Sequence, residues 1–378
     1  MKSNRIDCLP NPLVAYVSIG VCVLVVLSLT PFAIVHAQPD VGPAAEPVAQ
    51  PISRDLDPYQ LSAVTLAGSH NTYEKSSTFE YLYDALADVQ VIELDIWSTA
   101  DRVGGSWSVT HNTFKGRKNN CPKIVKNKQG TPEPGTRNQD LHSCMAALRY
   151  WHDANPNHPL VIVKFEMKNG FYYGTPSGLD SWISPYITPT MLFRPQDLMC
   201  KNPPSCDQTY DTLQAAAQAN VWPKMDQLRG KFMFVAIPGT VSTSGPAQYA
   251  SALAKKQASI IFPSLLLKSA KVDVDPRTSY FGSNASWGVM FDMQAGYIDA
   301  GSIPITVTQW MNTNHFLVFI SDSTPACTPP NIARGNNRLA WLAANYHANV
   351  IDTDQETLTM TFPLPSTPAP ATVAACPK

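Results

Sequence analysis

Charge is scarce in this chain, and so is any imbalance of it. Only 15% of the 378 residues are Asp, Glu, Lys or Arg, and the formal net charge is −1. That excludes the basic excess with which nucleic-acid binders neutralise phosphates, so no nucleic-acid partner is expected. No CxxC stands near partnering histidines, which removes the usual zinc sites. Neither a Gly-x-Ser-x-Gly elbow nor a phosphate-binding P-loop occurs. The chain also lacks any repeat of about 20–50 residues and any long internal low-complexity linker. What remains is one domain, 44% hydrophobic and long enough for a large core.

The ends differ from the middle. Lys2 and Arg5 precede an apolar run from Leu13 to Val35, and Val35-His36-Ala37 places small residues where a signal peptidase cuts. Residues 1–37 are therefore expected to be a secretory signal cleaved before Gln38. The alternative is an uncleaved membrane anchor, since Leu13 to Leu29 is almost long enough to span a bilayer. Residues 38–58 form a Pro/Ala-rich lead-in and 361–378 a similar tail, leaving 59–360 for the folded domain. Cys121, Cys144, Cys200, Cys206, Cys327 and Cys376 remain after cleavage, an even number that suits disulfides in an exported protein. Cys200 and Cys206 flank a short loop and are the expected pair; the other pairings stay open.

Within 59–360, short β-rich runs alternate with helical patterns, which predicts βα units around a parallel sheet and an α/β class fold, a TIM-like (β/α)8 barrel. The predicted strands are Ser62–Ala67, Val89–Trp97, Trp107–His111, Leu160–Met167, Lys231–Ile237, Ser259–Phe262, Val289–Met293, Phe316–Ser321 and Asn349–Asp352. Helices are predicted over Leu141–Asn155 and Asn331–His347. Nine candidates exceed the barrel's need by one, and an insertion is expected between 259 and 310.

The chemistry gathers at strand ends. Gly68-Ser69-His70-Asn71 follows the first strand. In Val91-Ile92-Glu93-Leu94-Asp95, the i, i+2 spacing puts both carboxylates on one strand face. The third strand ends in Thr110-His111-Asn112, and the fourth runs into Glu166 and Lys168. In a barrel, C-terminal strand ends converge on the active-site face. Each residue has an ordinary reading too: a capping histidine at a glycine turn, or a Glu166–Lys168 pair. Several unpaired carboxylates buried together are costly, however, so a bound cation is the natural counter-charge. Asn71, Glu93, Asp95 and Glu166 offer only hard oxygens, which suits calcium or magnesium.

This order of residues, from Gly68-Ser69-His70-Asn71-Thr72-Tyr73 through Glu93-Leu94-Asp95 and Thr110-His111-Asn112 to Glu166, resembles the calcium-dependent phosphoinositide-specific phospholipase C family. Leu148-Arg149-Tyr150-Trp151 and Ala154-Asn155-Pro156-Asn157-His158-Pro159 resemble its bacterial branch. The likeness spans about 59–355 and thins after Lys168. It implies a TIM-barrel phosphodiesterase with catalytic His70 and His111 and Ca2+ held by Asn71, Glu93, Asp95 and Glu166. It further implies attack by the inositol 2-hydroxyl, His111 as general acid and His70 as stabiliser of the pentacovalent phosphorus.

Three features bear on substrate. Lys115, Arg117, Lys118, Lys123, Lys126 and Lys128 crowd an acid-free stretch after the third strand, where they could meet anionic headgroups. Phe171, Tyr172, Tyr173, Trp182 and Tyr186 follow the fourth strand, suited to a lipid interface or to packing. Lys168 is expected on the face of Glu166, binding phosphate or pairing with that carboxylate. Against the family pattern, Phe316–Asp322 carries no basic residue. The expected partners are thus a phosphoinositide or other phospholipid and, transiently, a membrane surface, met by a secreted monomer. The rivals are a glycerophosphodiester or other headgroup phosphodiesterase and a calcium-stabilised lipid-binding protein without activity.

Overall fold

The computed structural model describes residues 56–100, 106–112, 118–124, 131–133, 135–271, 274–323, 336–354 and 362–363. Ten strands occur among them: β1 (Val64–Ser69), β2 (Val91–Thr99), β3 (Ser106–Val109), β4 (Val161–Met167), β5 (Phe232–Pro238), β6 (Ile261–Leu267), β7 (Met290–Gln294), β8 (Leu317–Ser321), β9 (Val350–Thr353) and β10 (Phe362–Pro363). Eight pair in parallel in the order β1-β2-β4-β5-β6-β7-β8-β9, and β9 closes on β1. The predicted TIM barrel is what forms.

The surplus strand is not where the sequence placed it. Both strands expected near an insertion, β6 and β7, belong to the barrel. The extra strand is β3, which pairs antiparallel with the outer half of β2, Ile96 opposite Val109 and Thr99 opposite Ser106. Trp107–His111 has the composition of a barrel strand because Trp107 and Val109 are buried. A parallel partner would need a crossover of a dozen or more residues, and too few separate β2 from β3. A hairpin follows.

The barrel strands are mostly apolar because both faces are covered. Helix Leu141–Ala154 shows how the outer layer docks. Asp140 caps it by accepting from the Ser143 amide, and Leu141, Met145, Leu148 and Trp151 recur at helical spacing, all at most 1% exposed. Each such side chain contributes about 1.5–3 kcal/mol. Asn155 accepts the turn out, its amide donating to the Trp151 and His152 carbonyls. The later helix is described over Asn336–Tyr346, inside its predicted span.

Two disulfides tie the described residues. Cys200–Cys206 is the predicted pair, and Cys121–Cys144 fastens the segment after β3 to helix Leu141–Ala154. Cys327 and Cys376 lie outside the described residues. β10 adds to β1 antiparallel, Thr65 opposite Phe362.

Candidate active site

Each site side chain is placed by a local turn. After β1 the chain passes through Asn71 at φ 50°, a left-handed conformation that asparagine tolerates. The Thr72 hydroxyl donates to Ser69 O (2.7 Å) and accepts from the Glu93 amide (3.0 Å), which clasps the turn against β2. The close approach needs Gly68, since a Cβ there would lie 2.8 Å from Asp352 Cβ. His70 and Asn71 thereby stand beside Glu93.

β2 delivers Glu93 and Asp95 to the barrel interior, as alternation requires. Its register with β4 sets Asp95 opposite Glu166 and Glu93 opposite Lys164. The β3 hairpin then reverses the chain: the Thr110 amide donates to Asp95 O (3.1 Å), and the Trp97 indole donates to Thr110 O (2.8 Å). His111 comes back down onto Asp95, with its Nδ1 2.9 Å from Asp95 Oδ2. His111 was expected at the end of a barrel strand; it is brought in by a return strand instead.

The result is a compact acidic centre. Oxygens of Glu93, Asp95 and Glu166 lie within 4.8 Å of one another. Lys168 Nζ is 2.7 Å from Asp95 Oδ2 and 2.9 Å from Glu166 Oε2, so the lysine pairs with both carboxylates. Glu166 Oε1 accepts from the Thr240 amide at 3.1 Å. Burial pushes Glu93 up to about 8, against the pull of Lys164, and pushes Glu166 up to about 7, with Asp95 adding to it and Lys168 opposing. Asp95 goes the other way: burial is outweighed by the His111 hydrogen bond and then by Lys168. His111 is raised by the Asp95 hydrogen bond against burial.

The donor set fits a hard cation. Among the described residues, Asp95 Oδ1 is buried and has no hydrogen-bond partner. Asn71 Oδ1 accepts a long bond from the Tyr73 hydroxyl, at 3.4 Å. Lys168 pairs with Asp95 and Glu166, and a divalent ion against Asp95 Oδ1, Glu93 and Asn71 would complete the neutralisation.

Several contributors were not legible. His70 Nδ1 is 3.2 Å from Asp354 and 3.6 Å from Asp322, carboxylates from the loops after β9 and β8. Burial lowers the His70 pKa, but Glu93, Asp354, Asp352 and Asp322 together carry it to about 10. Beneath the site, wholly buried Lys164 lies between Asp352 and Asp292 (3.2 Å), and Ser321 Oγ donates to Asp292 at 2.6 Å. A lysine inside Val-Ile-Val-Lys164-Phe and an aspartate inside Val-Met-Phe-Asp292-Met were the available signals.

Other expectations fall out unevenly. Lys115, Arg117, Lys126 and Lys128 lie outside the described residues; Lys118 is exposed, and Lys123 pairs with Glu133 at 2.8 Å. Phe171 and Trp182 are packed, whereas Tyr172 and Tyr173 are exposed. His152 and His158 are buried, and His142 stacks on Trp182.

Two histidines over a cluster of hard oxygen donors, at the C-terminal mouth of a parallel barrel, define a phosphodiesterase of the phospholipase C type. Residues 60–266 match the family described as phosphoinositide phospholipase C, Ca2+-dependent, and the chain belongs to that family. Its cofactor is calcium. A solved calcium-dependent phosphatidylinositol-specific phospholipase C from Streptomyces antibioticus is 29% identical, with TM-score 0.66, covering 81% of this chain and 99% of that one. A calcium-dependent phosphoinositol-specific enzyme from a Gram-negative Pseudomonas sp. shares the fold at 21% identity and TM-score 0.61, covering 83% and 98%. No curated protein sequence gives a significant match.

Proposed function

We propose that this chain is an exported enzyme that cleaves phosphatidylinositol-type lipids to diacylglycerol and a cyclic inositol phosphate. The observation that carries the reading is the carboxylate cluster of Glu93, Asp95 and Glu166 set between His70 and His111. Asn71, Glu93, Asp95 and Glu166 would hold calcium, whose charge lowers the pKa of a nearby hydroxyl and favours negative charge on phosphoryl oxygens. His111 is held at Nδ1 by Asp95, which leaves Nε2 to give its proton to the departing glycerol oxygen. His70, kept cationic by its carboxylate neighbours, faces the charge that builds on phosphorus. One phosphorus–oxygen bond forms to the inositol 2-oxygen, whose proton passes to a carboxylate of the cluster, as the bond to the diacylglycerol oxygen breaks. Lys168 adds positive charge beside the phosphate. Export follows from reading residues 1–37 as a signal cleaved before Gln38.

A second reading is favoured by β8, which brings no cation to the headgroup side of the mouth. The same site would then act on glycerophosphodiesters. Hydrolysis of micellar phosphatidylinositol is to be compared with that of soluble glycerophosphoinositol, each with calcium and with chelator. Preference for the lipid supports the first reading, preference for the soluble diester the second, and cleavage of neither removes both.

A further inference from the structure

A cavity of about 440 Å³ opens at the end of the barrel opposite the active site. Leu192, Phe193 and Leu228 line it and are buried; Pro189, Pro203 and Pro204 line it and are exposed. Its place is fixed by the start of β5, where Leu192 bridges to Phe232 and the Phe193 amide donates to Phe232 O at 2.9 Å. The Cys200–Cys206 disulfide stands in its wall, with Cys206 exposed. In a barrel enzyme, this N-terminal end serves stability and leaves catalysis to the other.

The charged groups of the wall are already engaged. Asp197 accepts from the Arg194 guanidinium at 2.9 and 3.0 Å, and Lys231 Nζ donates to Thr190 O. Prolines have no amide hydrogen to offer. The wall thus presents ring and methyl surface rather than spare charge, which suits an uncharged, apolar occupant.

The chain that leads into β1 runs to the edge of this cavity. The Leu61 amide donates to Pro223 O (3.0 Å), the Met225 amide to Tyr59 O (2.9 Å) and the Asp226 amide to Asp57 O (3.4 Å). Arg229 pairs with Asp57 at 2.8 Å. Residues 57–61 therefore lie antiparallel to 223–229, and tracing them backwards from Leu61 leads towards Leu228 in the cavity wall. Leu56, the first described residue, is buried. Just upstream, Pro47-Val48-Ala49-Gln50-Pro51-Ile52 carries no charge. Ile52 is four residues from Leu56, a reach of about 13 Å in extended chain.

We infer that residues 47–55 are a strap held by this cavity, with Pro51 and Ile52 against Leu192, Phe193 and Leu228. Its uncharged, proline-containing sequence matches a wall of prolines and apolar side chains whose ionic groups pair among themselves. Proline fixes φ in advance, so less freedom is lost on docking, and attachment at the cavity edge gives the strap a high effective concentration. Docked there, it closes the N-terminal end of the barrel and covers the Cys200–Cys206 disulfide. The strap stands apart from the proposed reaction, whose residues lie at the other end.

Photo-cross-linking of residues 38–378 with benzoylphenylalanine in place of Ile52 tests the contact. Adducts should fall on peptides that contain Leu192 and Phe193 or Pro203 and Pro204, and the same probe at Val41 should not give them. Ile52→Asp removes the apolar anchor without changing any described residue. Dithiothreitol should then reduce Cys200–Cys206 about tenfold faster than in wild type, with the rate at Cys121–Cys144 unchanged. Absent or scattered adducts, equal reduction of Cys200–Cys206 in folded Ile52→Asp, or an acceleration shared by both disulfides each overturn the strap. Adducts that join two chains overturn it as well and assign the cavity to a second copy.

Discussion

Asp95 Oδ2 is shared between His111 Nδ1, 2.9 Å away, and Lys168 Nζ, 2.7 Å away, while Asp95 Oδ1 is buried without a partner among the described residues. One carboxylate therefore holds His111 with one oxygen and keeps the other available for the proposed calcium. Asp95→Asn keeps the shape and removes the charge. It should lower kcat/KM by at least about 10²-fold, and calcium affinity by about tenfold or more. Calorimetric titration alongside steady-state kinetics separates the two effects, and unchanged calcium affinity would deny the second oxygen its role.

The buried Lys164 predicts a stability effect of known sign. Removing it leaves Asp292 and Asp352 uncompensated inside the barrel. Lys164→Met should cost about 3–5 kcal/mol in denaturant unfolding. A loss below about 1 kcal/mol would mean that the two aspartates are neutral without it.

This network also shows what a linear reading can reach. Glu93 and Asp95 were legible because period-two alternation fixes their face from two neighbouring residues, and Glu166 from its place in an apolar run. His70 was legible from the glycine turn before it. The partners of His70 were not: Asp322 and Asp354 lie more than 250 residues away and arrive only when β9 closes on β1. Trp107–Val109 misled the strand count because burial of its side chains is the same in a hairpin as in a barrel. Cys121–Cys144 could not be read from spacing, since the helix between Asp140 and Asn155 decides which cysteines meet.

Acid should destabilise the fold through His158. It donates from Nδ1 to Pro159 O (2.5 Å) and so accepts at Nε2 from His152 Nδ1 (3.0 Å). Burial holds the His158 pKa down to about 4, and burial lowers His152 as well. A depressed folded-state pKa means stability is complete above about 6.5 and is lost as pH falls towards 4. The loss attributable to His158 is about 3 kcal/mol. Unfolding free energies of wild type and His158→Gln across that window should converge as pH falls; parallel curves would contradict the assignment.

The two disulfides should differ in weight. Cys121–Cys144 spans 23 residues and Cys200–Cys206 spans 6, so the longer loop restricts the unfolded chain more. Replacing Cys121 and Cys144 together by Ala should cost about 3 kcal/mol, and the shorter pair less. Thermal melts of the two double variants rank them, and the reverse order would count against the loop-entropy argument.

The proposed reaction depends on both a metal and a histidine. Phosphorus NMR of residues 38–378 with phosphatidylinositol micelles, run with calcium or chelator and with wild type or His111→Ala, tests all three together. A cyclic inositol phosphate resonance is expected from wild type with calcium only, abolished or slowed by orders of magnitude in His111→Ala. Phosphatidylinositol left intact by wild type with calcium, or product formed equally well in chelator or by His111→Ala, would contradict it.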